Sequence, residues 1–282
     1  GWGPEEVAPL ETIVTPELAK SIISTNASPD ISFEQSINPY RGCEHGCIYC
    51  YARPNHAYVG LSPGLDFETK LFVKANAAEL LEAAFAKPSY RPKTIMLGGV
   101  TDIYQPIERG YGVTRALLEV MERWRHPVSL ITKSQLILRD IDVLARLAER
   151  GLAKAAISVT TLDRRIARVM EPRAAAPHRR IEVIRALTQA GVPVTVMVAP
   201  IVPAITDSEI EAILEECAKA GATGAGYVVL RLPLEIKDLF KDWLAARFPD
   251  RATRVMALVR GMRNGRDYDA EWGKRQRGEG PY

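Results

Sequence analysis

Short apolar, β-rich runs recur along the chain with helical segments between them, and this alternation limits the fold more than any other feature. The runs are Thr94–Leu97, Val128–Ile131, Ala155–Val159, Val194–Val198 and Tyr227–Leu230, and a first strand is expected at Ser36–Tyr40. Continuous rather than alternating hydrophobicity marks parallel strands covered on both faces, and the intervening helices supply the cover. Strand plus helix repeats about every 30 residues, the length of a βαβ unit. Two helices show their ends. Asp140 is placed to cap a helix with Ile141, Leu144, Leu147 and Ala148 on one face, and Gly151 stops it. Thr206-Asp207-Ser208-Glu209 has capping-box spacing ahead of Ile210, Ile213, Leu214 and Cys217, and Gly221 ends that helix.

Six such units, ending near Pro233, predict an α/β fold: a partial (β/α)6 TIM-type barrel of parallel strands. A closed eight-stranded barrel takes about 250 residues for itself, most of the 282 present. The expected domains are an N-terminal arm at 1–35, with a short helix at Glu17–Ile23, a barrel at 36–233, and a C-terminal helical extension and polar tail at 234–282. Within the extension, Glu235–Arg247 and Arg251–Met262 read as helices. The chain is 47% hydrophobic and 25% charged, with a formal net charge of +3. So small a surplus neither demands nor excludes a nucleic-acid partner. No apolar run approaches the roughly 20 residues of a bilayer span, and no secretory signal pattern is present, so no membrane partner and a cytoplasmic location are the expectation.

Four cysteines occur, and three fall within the stretch Arg41-Gly42-Cys43-Glu44-His45-Gly46-Cys47-Ile48-Tyr49-Cys50-Tyr51. A disulfide scaffold would spread its cysteines along the chain. Three thiolates spaced C-x3-C-x2-C on one loop can each bind a different iron of a [4Fe–4S] cubane, leaving the fourth iron open to a further ligand. Gly42 and Gly46 permit the tight bends such a loop needs, and its backbone N–H groups can bond the cluster sulfurs. A zinc knuckle with His45 or His56 as fourth ligand is the alternative, although C-x3-C is awkward for a zinc ribbon.

This stretch resembles the radical S-adenosylmethionine (radical SAM) superfamily, whose signature is C-x3-C-x-aromatic-C, with Tyr49 as the aromatic. The resemblance implies that Cys43, Cys47 and Cys50 hold the cluster and that the open iron chelates S-adenosylmethionine. One electron then breaks a carbon–sulfur bond, and a 5′-deoxyadenosyl radical abstracts hydrogen from a substrate. Tyr49 would pack against the adenine, and Gly98-Gly99-Val100-Thr101-Asp102 after the second strand stands where the family places its amino-group motif, with Val100 replacing the usual glutamate, so that Thr101 or Asp102 would do its work on the cofactor. From roughly Ser36 to Pro233 the chain resembles the spore photoproduct lyase-like branch. That likeness implies cofactor contacts from Thr101, Lys133 and Ser158, and an external donor such as a flavodoxin or ferredoxin. The lyase's second-strand cysteine, which returns hydrogen to the product, has no counterpart here. A nucleic-acid lesion or modification is the substrate by analogy. A small molecule or peptide is the alternative within the superfamily, and a zinc-bound nucleic-acid-binding module the alternative outside it.

Cys217 lies on an apolar stripe and reads as core filler before it reads as a hydrogen donor. Glu171-Pro172-Arg173 fits either a rim contact or a surface turn, and Tyr104 and Gln105 fit either a rim or a plain loop. Arg41 and Arg53 flank the cysteines, where positive charge would favour a reduced cluster and attract an acidic redox partner, or is ordinary solvated charge. Residues 251–282 carry eight basic residues against four acidic ones, with Tyr268 and Trp272 interleaved, which suits either a lid, a polyanion contact or a solvated face.

Overall fold

The computed structural model describes residues 11–280; residues 1–10 of the expected arm and 281–282 of the tail lie outside them. The strands are β1 Ile13–Glu17, β2 Ser24–Thr25, β3 Gln35–Ile37, β4 Tyr40–Arg41, β5 Lys70–Lys74, β6 Ile95–Leu97, β7 Val128–Thr132, β8 Ala153–Ser158, β9 Val194–Ile201 and β10 Gly224–Val229. The α-helices are α1 Asp66–Thr69, α2 Ala77–Phe85, α3 Glu108–Tyr111, α4 Val113–Arg123, α5 Ile141–Ala148, α6 Arg164–Met170, α7 Pro177–Gln189, α8 Ile210–Lys219, α9 Ile236–Arg247 and α10 Pro249–Gly261.

Among the described residues one sheet runs β10-β9-β8-β7-β6-β3-β2. Every neighbouring pair from β3 to β10 is parallel, and β2 closes the far edge antiparallel to β3. The barrel is open: β10 and β2 are its free edges, and no bond joins them. Val128–Thr132 and Val194–Ile201 bury alternate residues fully and the rest partly. The fully buried residues are those that pack on the helices, and their neighbours point to the opposite face of the sheet. The principal core joins Ile37, Leu97, Leu130, Ile157 and Val196 of the sheet to Leu118, Leu144, Ile184 and Ile213 of the helices.

The first expected strand is split. Gln35–Ile37 joins the barrel, but Pro39 has no N–H to give a ladder, and Tyr40–Arg41 turns away to pair with β5. There β1, β5 and β4 form a small second sheet. The helix expected at Glu17–Ile23 does not form; Ile13–Glu17 runs parallel to Lys70–Lys74 instead, as its β-branched Ile-Val-Thr opening favours. Two expected caps are also absent. Asp140 is fully buried and accepts from Arg139 rather than from helix amides. Thr206 accepts from the Val202 amide, and Glu209 reaches across to Thr161 and Leu162. Other partners prevail over the expected cap in both cases.

The C-terminal helices pack as a second cluster in which Phe240, Leu244, Val255 and Val259 meet Cys47, Tyr49, Met170 and Leu230. The tail then lies across the open side of the barrel. Gln276 O accepts from the Val229 amide at the β10 edge. Gly273 N donates to Asp30 at 2.5 Å, and Arg275 also pairs with Asp30, in the loop leading into β3. Several tail cations are thereby used internally: Arg260 and Lys241 share Asp267, and Arg263 is buried on the Leu230 and Lys274 carbonyls.

Candidate active site

The three clustered cysteines lie on a loop that leaves β3 at its C-terminal end and is pinned by β4 into the small sheet. Gly42 turns it with φ of +77°, and Gly46 does so again with +68°. A Cβ on Gly42 would stand 2.5 Å from Leu71 Cδ2 and 2.7 Å from the Phe67 carbonyl, so only glycine fits. The Cys43 amide donates to that Phe67 carbonyl at 2.9 Å. Thr101 Oγ1 donates to the Gly42 carbonyl at 2.6 Å, and Gln105 ties Gly42, Thr101 and the Glu44 amide together.

A second brace comes from the turn after α6. Met170 O accepts from the Ile48 amide at 3.1 Å, and the Arg173 amide donates to His45 O at 3.2 Å. The Arg173 side chain bonds Glu44 O and Glu68, and Glu68 also binds Arg53, which donates to Cys47 O at 3.0 Å. Two guanidiniums and one carboxylate thus sit against the loop. Glu171-Pro172-Arg173 is a clamp on the cysteine loop, not a surface turn.

The rim beside the loop is formed by the strand ends. Gly98 follows β6 with φ of +96°, and a Cβ there would meet Ile131 O at 2.9 Å. Gly99 O accepts from the Tyr51 hydroxyl. Asp102 is partly buried, with its side chain 10% exposed, and both its oxygens are taken. One accepts from Thr132 Oγ1 at 2.6 Å and the Tyr104 amide at 2.9 Å. The other accepts from the Lys133 amide at 2.8 Å and lies 3.3 Å from His45 Nδ1. Burial alone would raise its pKa, but the His45 charge and these donors win and hold it well below the ordinary carboxylate value. Lys133 Nζ stands 5.8 Å from the Tyr49 ring centroid, and no carboxylate is within ion-pair distance of it among the described residues.

Beneath Tyr49 lies a buried hub. Glu171 accepts from the Tyr49 hydroxyl, from Thr160 Oγ1 at 2.9 Å and from Arg180, which in turn donates to Ser158 O at 3.1 Å and Ala175 O at 2.7 Å. Glu171 is 0% and Arg180 1% exposed. Burial would raise the Glu171 pKa, yet the charges of Arg180 and Lys133 hold it below normal.

The family model "Radical SAM superfamily" matches residues 37–217. The chain belongs to the radical SAM superfamily. An uncharacterized protein of Mycobacterium tuberculosis is 36% identical over 232 residues, 82% of this chain and 68% of that protein. An uncharacterized protein of Methanocaldococcus jannaschii is 27% identical over 173 residues, 61% of this chain and 62% of the other. Spore photoproduct lyase complexed with dinucleoside spore photoproduct superposes with a TM-score of 0.61 at 17% identity, over 84% of this chain and 66% of the lyase. That last likeness is one of fold.

The residues present fit the [4Fe–4S] cluster and S-adenosylmethionine that a radical SAM protein implies. Burial pushes the Cys43 thiol well up and the Cys47 thiol up to about 12. Nearby negative charge adds to both, from Asp102, Cys47 and Cys50 on Cys43, and from Glu171 and Cys50 on Cys47. Buried, mutually repelling thiols ionise together only against concentrated positive charge, which iron supplies. No group of three or more His, Cys, Asp or Glu side chains among the described residues is placed to hold a single metal ion. Neither candidate fourth ligand of a zinc knuckle, His45 or His56, joins the cysteines in such a group among the described residues.

The expected site residues of this radical SAM chain therefore come together on one rim, with divided duties. Cys43, Cys47, Cys50, Tyr49 and Lys133 lie together at the cysteine loop, and Ser158 is buried at the end of β8, its carbonyl on Arg180; Gly98 and Gly99 shape the approach of β6. Thr101 and Asp102, expected to touch the cofactor, have their polar atoms committed to the Gly42 carbonyl and to the β7 loop. Sequence reasoning missed Arg180 and Glu68. Arg180 stands in the polar run His178-Arg179-Arg180, where composition reads as a solvated face, and only its spacing to the buried Val183, Ile184 and Leu187 hinted otherwise.

Proposed function

We propose that this chain is a reductive S-adenosylmethionine-cleaving enzyme, with the cluster on Cys43, Cys47 and Cys50 and the cofactor beside it on the rim. When bound, cluster and cofactor supply an electron and a 5′-deoxyadenosyl radical able to abstract hydrogen from a substrate. The chain's own residues hold and orient. The observation that carries the reading is the Lys133 ammonium, without a carboxylate partner among the described residues, above the Tyr49 ring and close enough to act on Cys47. A cation so placed suits the cofactor carboxylate, and Asp102 fixes the backbone from which it reaches. The Tyr49 ring is fixed through its hydroxyl on Glu171, giving the adenine a rigid wall. Ser158, buried at the end of β8, offers a hydroxyl for the ribose. The electron would come from an external carrier of the flavodoxin or ferredoxin kind.

The substrate reading follows from chemistry that the chain lacks. Three of its four thiols belong to the loop, and Cys217 is 0% exposed in the principal core on α8, with burial pushing its pKa up to about 12. No thiol is left to return hydrogen to a product radical, so thymine-dimer reversal by a cysteine route is not proposed. A nucleic-acid modification, or a small molecule or peptide, fits the same rim.

Anaerobic purification and reconstitution test the proposal. The expected result is about four irons and four sulfides per chain, and 5′-deoxyadenosine on adding dithionite and S-adenosylmethionine. One equivalent of zinc, with no nucleoside after reconstitution, would overturn it.

A further inference from the structure

One cation at the mouth is used by nothing described so far. Arg231 follows β10, on the same rim as the cysteine loop. Its guanidinium carbon lies 5.0 Å from the Tyr51 ring centroid. Its Nε is buried without a hydrogen-bond partner, and no ion pair engages the rest of the fork among the described residues. The carboxylate whose charge it feels, Asp30, is already bonded to the Gly273 amide and Arg275.

The placement gives this spare charge a direction. Tyr51 follows Cys50, and its hydroxyl is bonded to Gly99 O at the end of β6. With Arg231 at the end of β10 on its ring, Tyr51 spans the mouth between strands that stand four places apart in the sheet. Tyr51 is 46% exposed, so solvent and small molecules reach its ring beside the cysteine loop. Lys133 stands over Tyr49, the residue before Cys50. The mouth therefore offers two cations, each beside a tyrosine, and S-adenosylmethionine brings one carboxylate. A buried guanidinium N–H left unmade is costly, and a planar fork beside an aromatic face matches a phosphate or carboxylate held in two bonds.

We propose that Arg231, supported by Tyr51, receives an oxyanion carried by the substrate and so fixes the substrate across the mouth from Lys133. The proposal rests on the cofactor reading above for the side that Lys133 serves. It narrows the substrate to molecules bearing a phosphate or carboxylate near the reacting carbon.

The test needs no turnover. Reconstituted holoenzyme is saturated with S-adenosylmethionine without reductant, and phenyl phosphate, benzoate and neutral benzyl alcohol are titrated by ligand-observed NMR at low salt. The expected result is saturable binding of at least one anion, none of the alcohol, and affinity at least about tenfold weaker in Arg231→Gln, the loss of a charge-assisted pair. The preferred anion distinguishes phosphate from carboxylate. Arg231→Lys should recover part of the affinity. Iron content and melting temperature establish that the variants are folded; should Arg231→Gln fail to fold, Tyr51→Leu must weaken binding about threefold through loss of the cation–aromatic contact. Anion binding unchanged in these variants, absent from wild type, or equalled by benzyl alcohol overturns the proposal. Failure of the cofactor reading would show separately, as no 5′-deoxyadenosine from the same preparation.

Discussion

Replacing Glu171 with alanine removes the acceptor at the centre of the hub beneath the rim and leaves Arg180 charged, buried and unpaired. Both side chains are essentially inaccessible, at 0% and 1% exposure, so solvent offers no rescue. Breaking a buried pair from one side costs about 3–5 kcal/mol. The Tyr49 hydroxyl and Thr160 Oγ1 lose their acceptor as well, which places the loss at the upper end of that range. For a large chain the melting temperature should fall by about 10–20 °C, at roughly 2–4 °C per kcal/mol. The pair itself is a different matter. Glu171→Leu combined with Arg180→Met replaces two charges by apolar groups, and such exchanges are often neutral or stabilising by about 1–4 kcal/mol. The double variant should therefore be more stable than Glu171→Leu or Arg180→Met alone, with a coupling of at least about 2 kcal/mol. Urea unfolding of the reduced, metal-free chain measures all corners of the cycle without cluster loss confusing the midpoint. A single-variant loss below about 1 kcal/mol, or strict additivity, would refute the claim that charge pairing holds the hub together.

Two further outcomes follow from the same geometry. Gly42→Ala must place a Cβ against Leu71 and the Phe67 carbonyl in a left-handed conformation costing about 1–2 kcal/mol before any clash; iron content after reconstitution should collapse, and full iron loading would contradict the tight-loop reading. Cys217→Ala should lower stability by about 1–2 kcal/mol, as for other small losses of buried volume. It should leave 5′-deoxyadenosine formation unchanged, and altered formation would return Cys217 to the site.

Local pattern carried the barrel because each β/α unit is stabilised by burial that its own residues announce. Val128–Ile131 and Val194–Val198 are apolar over a strand's length, and the observed strands extend them by only one and three residues. The helices at 235–247 and 251–262 were legible from spacing for the same reason. Ile13–Glu17 was not, because its partner β5 is more than fifty residues away and nothing in a polar, Pro-containing segment reveals a distant edge. The caps at Asp140 and Thr206 failed for a related cause. A carboxylate or hydroxyl that satisfies one donor can satisfy another equally well, and packing chose Arg139 and the Val202 amide.

The site divides along the same line. The cysteine spacing is a local statement about one loop, so Cys43, Cys47, Cys50 and Tyr49 could be read directly. What steadies that loop is assembled from afar: Glu68, Arg53 and Arg173 from three segments, Thr101 and Gln105 from a fourth, Glu171 and Arg180 from beneath. These residues are polar, and polarity in a sequence reads as surface unless a partner is known. Their burial makes sense only as a set. Each charge there is matched by an opposite charge or by several donors, as buried ions require. Lys133 and Arg231 stand apart from that pairing, and both lie at the mouth. Arg263 also lacks a carboxylate but is satisfied by the Leu230 and Lys274 carbonyls, whereas the Lys133 and Arg231 side chains have neither kind of partner among the described residues, and they mark where negative groups of bound molecules belong.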